Sequence, residues 1–156
     1  MFRVRGSLAA EISKVEEPTL EEPTFFRPEV FKSCLPKQFK NFKMPKELLG
    51  IAFVESSFNL KAKSYAGAAG IWQFMPRTSA AFMPRRTKYI DYRNNPIIST
   101  LAALHLLKQN KQILKRWDLA VPAYNFGTSH LVKARRKFKE KATLSYIMEN
   151  YKHANV

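Results

Sequence analysis

The chain has 156 residues and a net charge of +15, and 46% of its residues are hydrophobic. This length suits one domain with a hydrophobic core, and the hydrophobic content excludes a disordered chain. No apolar run is long enough to cross a membrane. The single cysteine, Cys34, excludes an internal disulfide. The three histidines are not at ligand spacing, so we expect no metal site and no cofactor.

The positive charge lies outside residues 1–24, which contain more Glu than Lys and Arg. Pro18, Pro23 and scattered Glu give this segment little periodicity, so we predict an extended N-terminal arm followed by one domain over 25–156. A domain so basic attracts a polyanion, either nucleic acid, a phospholipid surface or an anionic cell wall. The Lys and Arg residues are spread along the chain without a reading motif, so we expect no specific nucleic-acid binding.

The hydrophobic spacing predicts helices joined by turns. In chain order these are one or two short helices over 28–42 interrupted at Pro36, a main helix from Pro45 to about residue 58, and helices over 76–84, 97–114, 119–125, 129–139 and 142–152. Asn94 or Asn95 is predicted to cap the helix over 97–114, and Thr128 the helix over 129–139. No two segments alternate like paired strands, so we predict an all-α fold with at most a small β-hairpin near 84–92.

Glu55 lies in the last turn of the main helix. The predicted buried face of that helix consists of Leu48, Leu49, Ile51, Ala52 and Val54. Apolar neighbours and the negative end of the helix dipole both disfavour a charged carboxylate at Glu55. A carboxyl group kept protonated near neutral pH can act as a general acid in glycosidic bond cleavage. The alternative is an ordinary solvated Glu at a helix end, and the flanking motifs favour the first interpretation.

Several motifs follow one another in order around Glu55. They are E-S-x-F-N from Glu55, A-x-S-x-x-G-A-x-G-I-W-Q-F-M-P from Ala62, D-Y-R-N-N-P from Asp91, S-T-L-A-A from Ser99 and A-Y-N-F-G from Ala123. This series resembles the catalytic core of lytic transglycosylases and goose-type lysozymes, most of all the membrane-bound lytic transglycosylase D group. The resemblance implies a lysozyme-like catalytic domain over 25–156 that acts on peptidoglycan glycan strands.

The same resemblance implies a cellular setting. A cell-wall enzyme is exported to the periplasm or the cell exterior, although residues 1–10 lack the apolar core of a signal peptide. We therefore expect an exported protein whose signal peptide is absent from this chain. We also expect a monomer.

By resemblance, the residues that line the glycan groove are Ser64, Gln73, Met75, Tyr124 and Asn125. Their chemistry suits a sugar, because Ser, Gln, Asn and Tyr can hydrogen-bond hydroxyl and amide groups and Met offers an apolar face to a ring. By the same resemblance, we expect Tyr124 to hydrogen-bond Glu55 and fix its orientation.

Tyr65 and Phe126 depart from the pattern of the family. Relatives usually have a smaller residue or Pro at the position of Tyr65, and Ala at the position of Phe126. Both flank the groove motifs, so they count as substrate-binding candidates. Our hypothesis is that their bulk changes which glycan is accepted, including its N-acetylation or its peptide state.

The resemblance leaves the product open. Glu55 can protonate the bond between N-acetylmuramic acid (MurNAc) and N-acetylglucosamine (GlcNAc) and then deprotonate an attacking oxygen. Attack by the 6-hydroxyl of the sugar gives 1,6-anhydroMurNAc, the product of a lytic transglycosylase, whereas attack by water defines a hydrolytic muramidase. Asp91 is the candidate for a second carboxylate, and a structural role in its loop is the favoured alternative. A hypothesis of another class is a non-catalytic basic module that binds the cell wall.

Overall fold

A computed structural model describes the backbone of residues 28–150 and the side chains of residues 35–150. The predicted arm over 1–24 lies outside these residues. The helices of the described part are α1 (Pro28–Asn41), α2 (Leu49–Ser56), α3 (Pro76–Phe82), α4 (Pro96–Leu114), α5 (Trp117–Ala120), α6 (Ala123–Phe126), α7 (Thr128–Phe138) and α8 (Leu144–Asn150). Short 3-10 helices lie at Lys46–Leu48, Tyr92–Asn94 and Lys139–Lys141.

The all-α prediction is confirmed for the described residues, which contain no β-sheet. Two isolated antiparallel bridges, Lys63 with Ala69 and Ala69 with Phe74, supply the only β-pairing in this part of the chain. They lie between α2 and α3, outside the segment 84–92 in which at most a small hairpin was predicted. Within residues 28–150, no helix is both long enough and apolar enough to cross a lipid bilayer.

The chain forms two compact units, and the boundary between them lies within α4, between Leu104 and His105. In the first unit Trp72 is fully buried, its ring stacks on Phe39 at a centroid distance of 6.4 Å, and its Nε1 donates to the Thr100 hydroxyl at 2.8 Å. The apolar core of the second unit consists of Leu114, Leu119, Ala123, Leu131, Ala134, Ala142 and Ile147.

Two helix predictions are wrong because proline acts differently at the two sites. Helix α1 continues through Pro36, since burial of Leu35 and Phe39 on either side of it offsets the missing backbone hydrogen bond. The single helix predicted over 119–125 is instead α5 and α6, because Pro122 cannot donate the bond that would join them.

The caps were predicted with mixed success. Asn95 caps α4, since its Oδ1 accepts from the backbone N–H groups of Ile97 and Ile98, both at 3.0 Å. Thr128 does not cap α7, because it is the first residue of the helix and Gly127 occupies the N-cap position. The Thr128 hydroxyl donates to Oδ1 of the buried Asn110 at 2.6 Å. The amide of Asn110 in turn donates to the carbonyl of Ala120 at 3.2 Å.

Candidate active site

Glu55 lies in the last turn of α2 and is half-buried. Ala52, one turn earlier, is completely buried and anchors this part of the helix in the core. Val54 was predicted to be buried but is 82% exposed. The reason is geometric, because two residues turn a helix by about 200° and so place Val54 opposite Ala52.

The end of α2 is fixed to a following loop. Ser57 ends the helix in a left-handed conformation with φ 50°, and its N–H donates to the carbonyl of Phe53 at 2.7 Å. The hydroxyl of Ser56 is within 2.8 Å of the carbonyl of Ile71 and 3.2 Å of that of Ala52. The residue next to Glu55 is therefore tied to the glycine- and alanine-rich loop.

A tight turn presents the first groove candidates. Ser64 and Ala68 pair through their backbones at 2.9 Å, and the Ser64 hydroxyl accepts from the N–H of Ala68, also at 2.9 Å. A hydroxyl that accepts in this way can still donate its own proton. Gly67 has φ 89°, which explains a glycine at this position of the turn. Tyr65 is fully exposed on the same turn.

Gln73 lies at the end of the loop in a left-handed conformation, with φ 46°. Its side-chain Nε2 donates to the carbonyls of Gly70 at 2.8 Å and Ala62 at 3.2 Å. These bonds fix the amide plane and use only its donor side, so its Oε1 keeps its capacity to accept a hydrogen bond. Met75, which precedes α3, is 42% exposed.

Asp91 is engaged by Arg93. The Arg93 Nε lies 2.9 Å from Oδ1, and its Nη2 lies 2.7 Å from Oδ2 of the same carboxylate. These hydrogen bonds hold the pKa of Asp91 below its ordinary value of 3.8, against the opposing effect of burial, and the charge of Arg86 adds to the lowering. Asp91 also caps the 3-10 helix Tyr92–Asn94. The geometry therefore favours the structural alternative for this carboxylate.

Asp91→Asn should make the fold less stable near neutral pH, because it weakens the bonds to a buried cation. We expect a loss of about 1.5–3 kcal/mol in the free energy of unfolding. Since the folded-state pKa lies below 3.8, the carboxylate stabilises the fold above that pH and loses its effect as the pH falls through the folded-state pKa. Urea unfolding of both proteins at neutral pH and at about pH 2 measures this. An equal difference at both pH values would contradict the assignment.

The remaining candidates, Tyr124, Asn125 and Phe126, lie on α6 in the second unit. Tyr124 is half-buried, whereas Asn125 and Phe126 are exposed. Their place in the groove, and the hydrogen bond from Tyr124 to Glu55, stay predictions. Among the described residues, no group of three or more His, Cys, Asp and Glu side chains could hold a metal ion.

Sequence reasoning missed Arg93. It is one of several arginines near the basic loop, yet only 4% of its surface is exposed, whereas Arg85 and Arg86 are exposed. Its position two residues after Asp91 is compatible with pairing. A spacing of two residues between Asp and Arg is common in exposed loops, so the sequence does not distinguish this buried arginine from an exposed one.

Comparison with known proteins identifies the family of the chain. Residues 36–147 match the family model described as Transglycosylase SLT domain. Two Escherichia coli proteins, each named membrane-bound lytic murein transglycosylase D, are 37% identical to this chain over 116 residues, which are 74% of this chain and 26% of theirs. A protein from an Alteromonas species, described as a tributyltin chloride resistance protein, is 30% identical over 117 residues, which are 74% of this chain and 56% of its own. The chain thus spans about a quarter to a half of these relatives, and it belongs to the transglycosylase SLT domain family.

Proposed function

We propose that this chain cleaves the β-1,4 bond between MurNAc and GlcNAc in peptidoglycan and leaves a 1,6-anhydroMurNAc end, with Glu55 as the single general acid and base. The observation that carries the proposal is the half-buried Glu55 at the end of α2, beside a Ser56 whose hydroxyl reaches the loop at Ile71. Family membership and the names of the Escherichia coli relatives support the reaction class.

The mechanism needs one carboxyl group. Glu55 gives its proton to the glycosidic oxygen as the bond to C1 of MurNAc breaks, and the N-acetyl oxygen of the same sugar bonds to C1 in place of an enzymic nucleophile. The Glu55 carboxylate then takes the proton of the 6-hydroxyl, whose oxygen bonds to C1 as the N-acetyl oxygen leaves. Glu55 ends protonated, and no water is consumed. Gln73 and Ser64 offer hydrogen bonds to the sugar amides and hydroxyls.

The surroundings of Asp91 support this single-carboxylate scheme over a hydrolytic muramidase. A hydrolase is easier to build with a second carboxylate that directs water. Asp91 is the candidate, and its oxygens accept hydrogen bonds from the guanidinium of Arg93. A carboxylate held in this way is a poor base, because the guanidinium stabilises its charged form.

The charge of the protein suits the proposed substrate. The net charge is +15, and the last turn of α7 contributes Arg135, Arg136 and Lys137, all exposed. Peptidoglycan carries muramyl lactyl groups and stem-peptide carboxylates, so attraction between the two is expected. An exported, monomeric enzyme that works at the cell wall is part of the same proposal.

Incubation with purified peptidoglycan tests the function. We expect soluble glycan fragments to accumulate with time and enzyme concentration, as detected by chromatography and mass spectrometry. Binding to the insoluble material without release of fragments would contradict the proposal and leave the non-catalytic wall-binding module in its place.

Tyr65→Ala and Phe126→Ala should each change the relative rate on N-acetylated and chemically deacetylated glycan, because both remove an exposed aromatic ring beside groove motifs. A stacked aromatic contributes roughly 0.5–1.5 kcal/mol, so we expect a shift of about 2- to 12-fold in that ratio. Tyr89→Ala is the matched control, since Tyr89 is exposed but lies outside the motifs. An unchanged ratio in both variants would remove the hypothesis.

A further inference from the structure

Arg93 is the most completely buried charged side chain among residues 35–150, with 4% of its surface exposed. The cost of burying a cation is high unless its N–H groups find partners. Asp91 supplies the counter-charge, as described above. The remaining group, Nη1, donates to two backbone carbonyls, those of Gly67 at 2.7 Å and Phe74 at 3.0 Å.

The two carbonyls lie at the beginning and the end of one loop, residues 67–74. Within it, Ala69 and Phe74 exchange two backbone hydrogen bonds of 3.2 Å, so Phe74 O accepts from both Ala69 and Arg93. The backbone of Arg93 also touches the loop, because a Cβ built on Gly70 would lie 1.9 Å from the carbonyl oxygen of Arg93. Arg93 therefore supports this loop through its side chain and its main chain.

The loop needs such support because it holds Gln73 in a strained conformation. A non-glycine residue with positive φ is unfavourable by about 1–3 kcal/mol and persists only where its surroundings determine it. The side chain of Gln73 is itself fixed to the loop carbonyl of Gly70. Ser56 directly follows Glu55 in the sequence, and its hydroxyl donates to the carbonyl of Ile71 in this loop. A change in loop shape would thus move Gln73 relative to the end of α2.

We propose that Arg93 is a positioning residue, which holds the 67–74 loop through the Asp91 carboxylate and the carbonyls of Gly67 and Phe74 and so sets the place of Gln73 relative to the end of α2, where Glu55 lies. This inference rests on the proposed function for its catalytic consequence. Its structural part, the placement of the Gln73 amide, can be measured without any activity.

Arg93→Lys tests the inference, because a single ammonium keeps the charge but cannot make the planar fork that reaches the carboxylate and both carbonyls. We expect the NMR resonances of the Gln73 side-chain amide, assigned by their disappearance in Gln73→Glu, to shift in Arg93→Lys. On soluble glycan strands we expect kcat to fall by roughly 10- to 100-fold while KM changes little. A loss of this size is typical of a small misplacement of a group that contacts the transition state. The kinetics are measured well below the Tm of the variant.

Arg116→Lys is the control, since Arg116 forms a similar fork with an aspartate two residues away, Asp118, but is exposed. It should leave kcat and the Gln73 resonances unchanged.

Unchanged resonances and an unchanged kcat in Arg93→Lys would overturn the inference. Recovery of wild-type activity at low temperature would also overturn it, because the loss would then reflect partial unfolding of the variant. If Arg93→Lys does not fold, Asp91→Asn replaces it with the same expected direction. If the wild-type protein cleaves nothing, the proposed function fails, while the Gln73 resonances still decide the role of Arg93.

Discussion

Glu55→Gln should stop the release of soluble fragments from peptidoglycan and leave binding to it intact. The amide has nearly the size of the carboxyl group but cannot donate the proton to the leaving oxygen or take one from the attacking hydroxyl. General acid–base catalysis contributes roughly 100- to 10,000-fold, and a loss of that size is expected. Binding should persist because the basic surface and the groove candidates are unchanged.

Glu47→Gln is the matched control for this result. Glu47 belongs to the same unit and precedes α2, in the 3-10 helix Lys46–Leu48, but it is exposed. It makes the same change of a carboxyl group to an amide at an exposed position, so activity near the wild-type value is expected. Fragment release at the original rate by Glu55→Gln would show that another group is the acid. Circular dichroism and the Tm of both variants establish that they are folded.

Gly70→Ala should be among the most destabilising small substitutions in the first unit. The added Cβ would lie 1.9 Å from the carbonyl oxygen of Arg93 and 2.8 Å from its carbonyl carbon, and backbone atoms cannot give way as a flexible side chain can. Gly70 also has φ 77°, which strains any residue with a side chain. Together these effects should cost about 2–5 kcal/mol and lower the Tm by roughly 10 °C.

Two other glycines separate the contributions. Gly67 has φ 89° but nothing within 4 Å of a built Cβ, so Gly67→Ala should show the backbone strain alone and a smaller loss. Gly50 lies in α2 with open space at its Cβ, so Gly50→Ala should be neutral or stabilising by up to about 1 kcal/mol. Equal Tm values for Gly70→Ala and Gly67→Ala would contradict the close contact with Arg93. Thermal unfolding followed by circular dichroism gives all three values.

The helices could be predicted from the sequence because their signals are local. Apolar spacing placed α4 to within one residue of its observed limits, and Asn95 followed by Pro96 marked its beginning. Glu55 at the end of α2 was predicted for the same reason, since periodicity and the following turn are both visible in the chain.

The contacts that shape the candidate site could not be predicted in this way. Arg93 binds carbonyls 26 and 19 residues away, at Gly67 and Phe74, and Ser56 binds one 15 residues away at Ile71. Every residue has a backbone carbonyl, so no side-chain pattern identifies the partner. Thr128 shows the limit of a local signal, because a residue type that favours the cap position is here the first residue of α7, and its hydroxyl binds the distant, buried Asn110.

Digestion of peptidoglycan in water enriched in the heavy oxygen isotope tests the central claim most directly. If Glu55 activates the 6-hydroxyl of the sugar, each new MurNAc end has the mass of a reducing end minus one molecule of water and contains no heavy oxygen. Mass spectrometry should find only these ends. New reducing ends that carry the heavy isotope would show that water is the nucleophile. That result would contradict attack by the 6-hydroxyl and make the protein a muramidase.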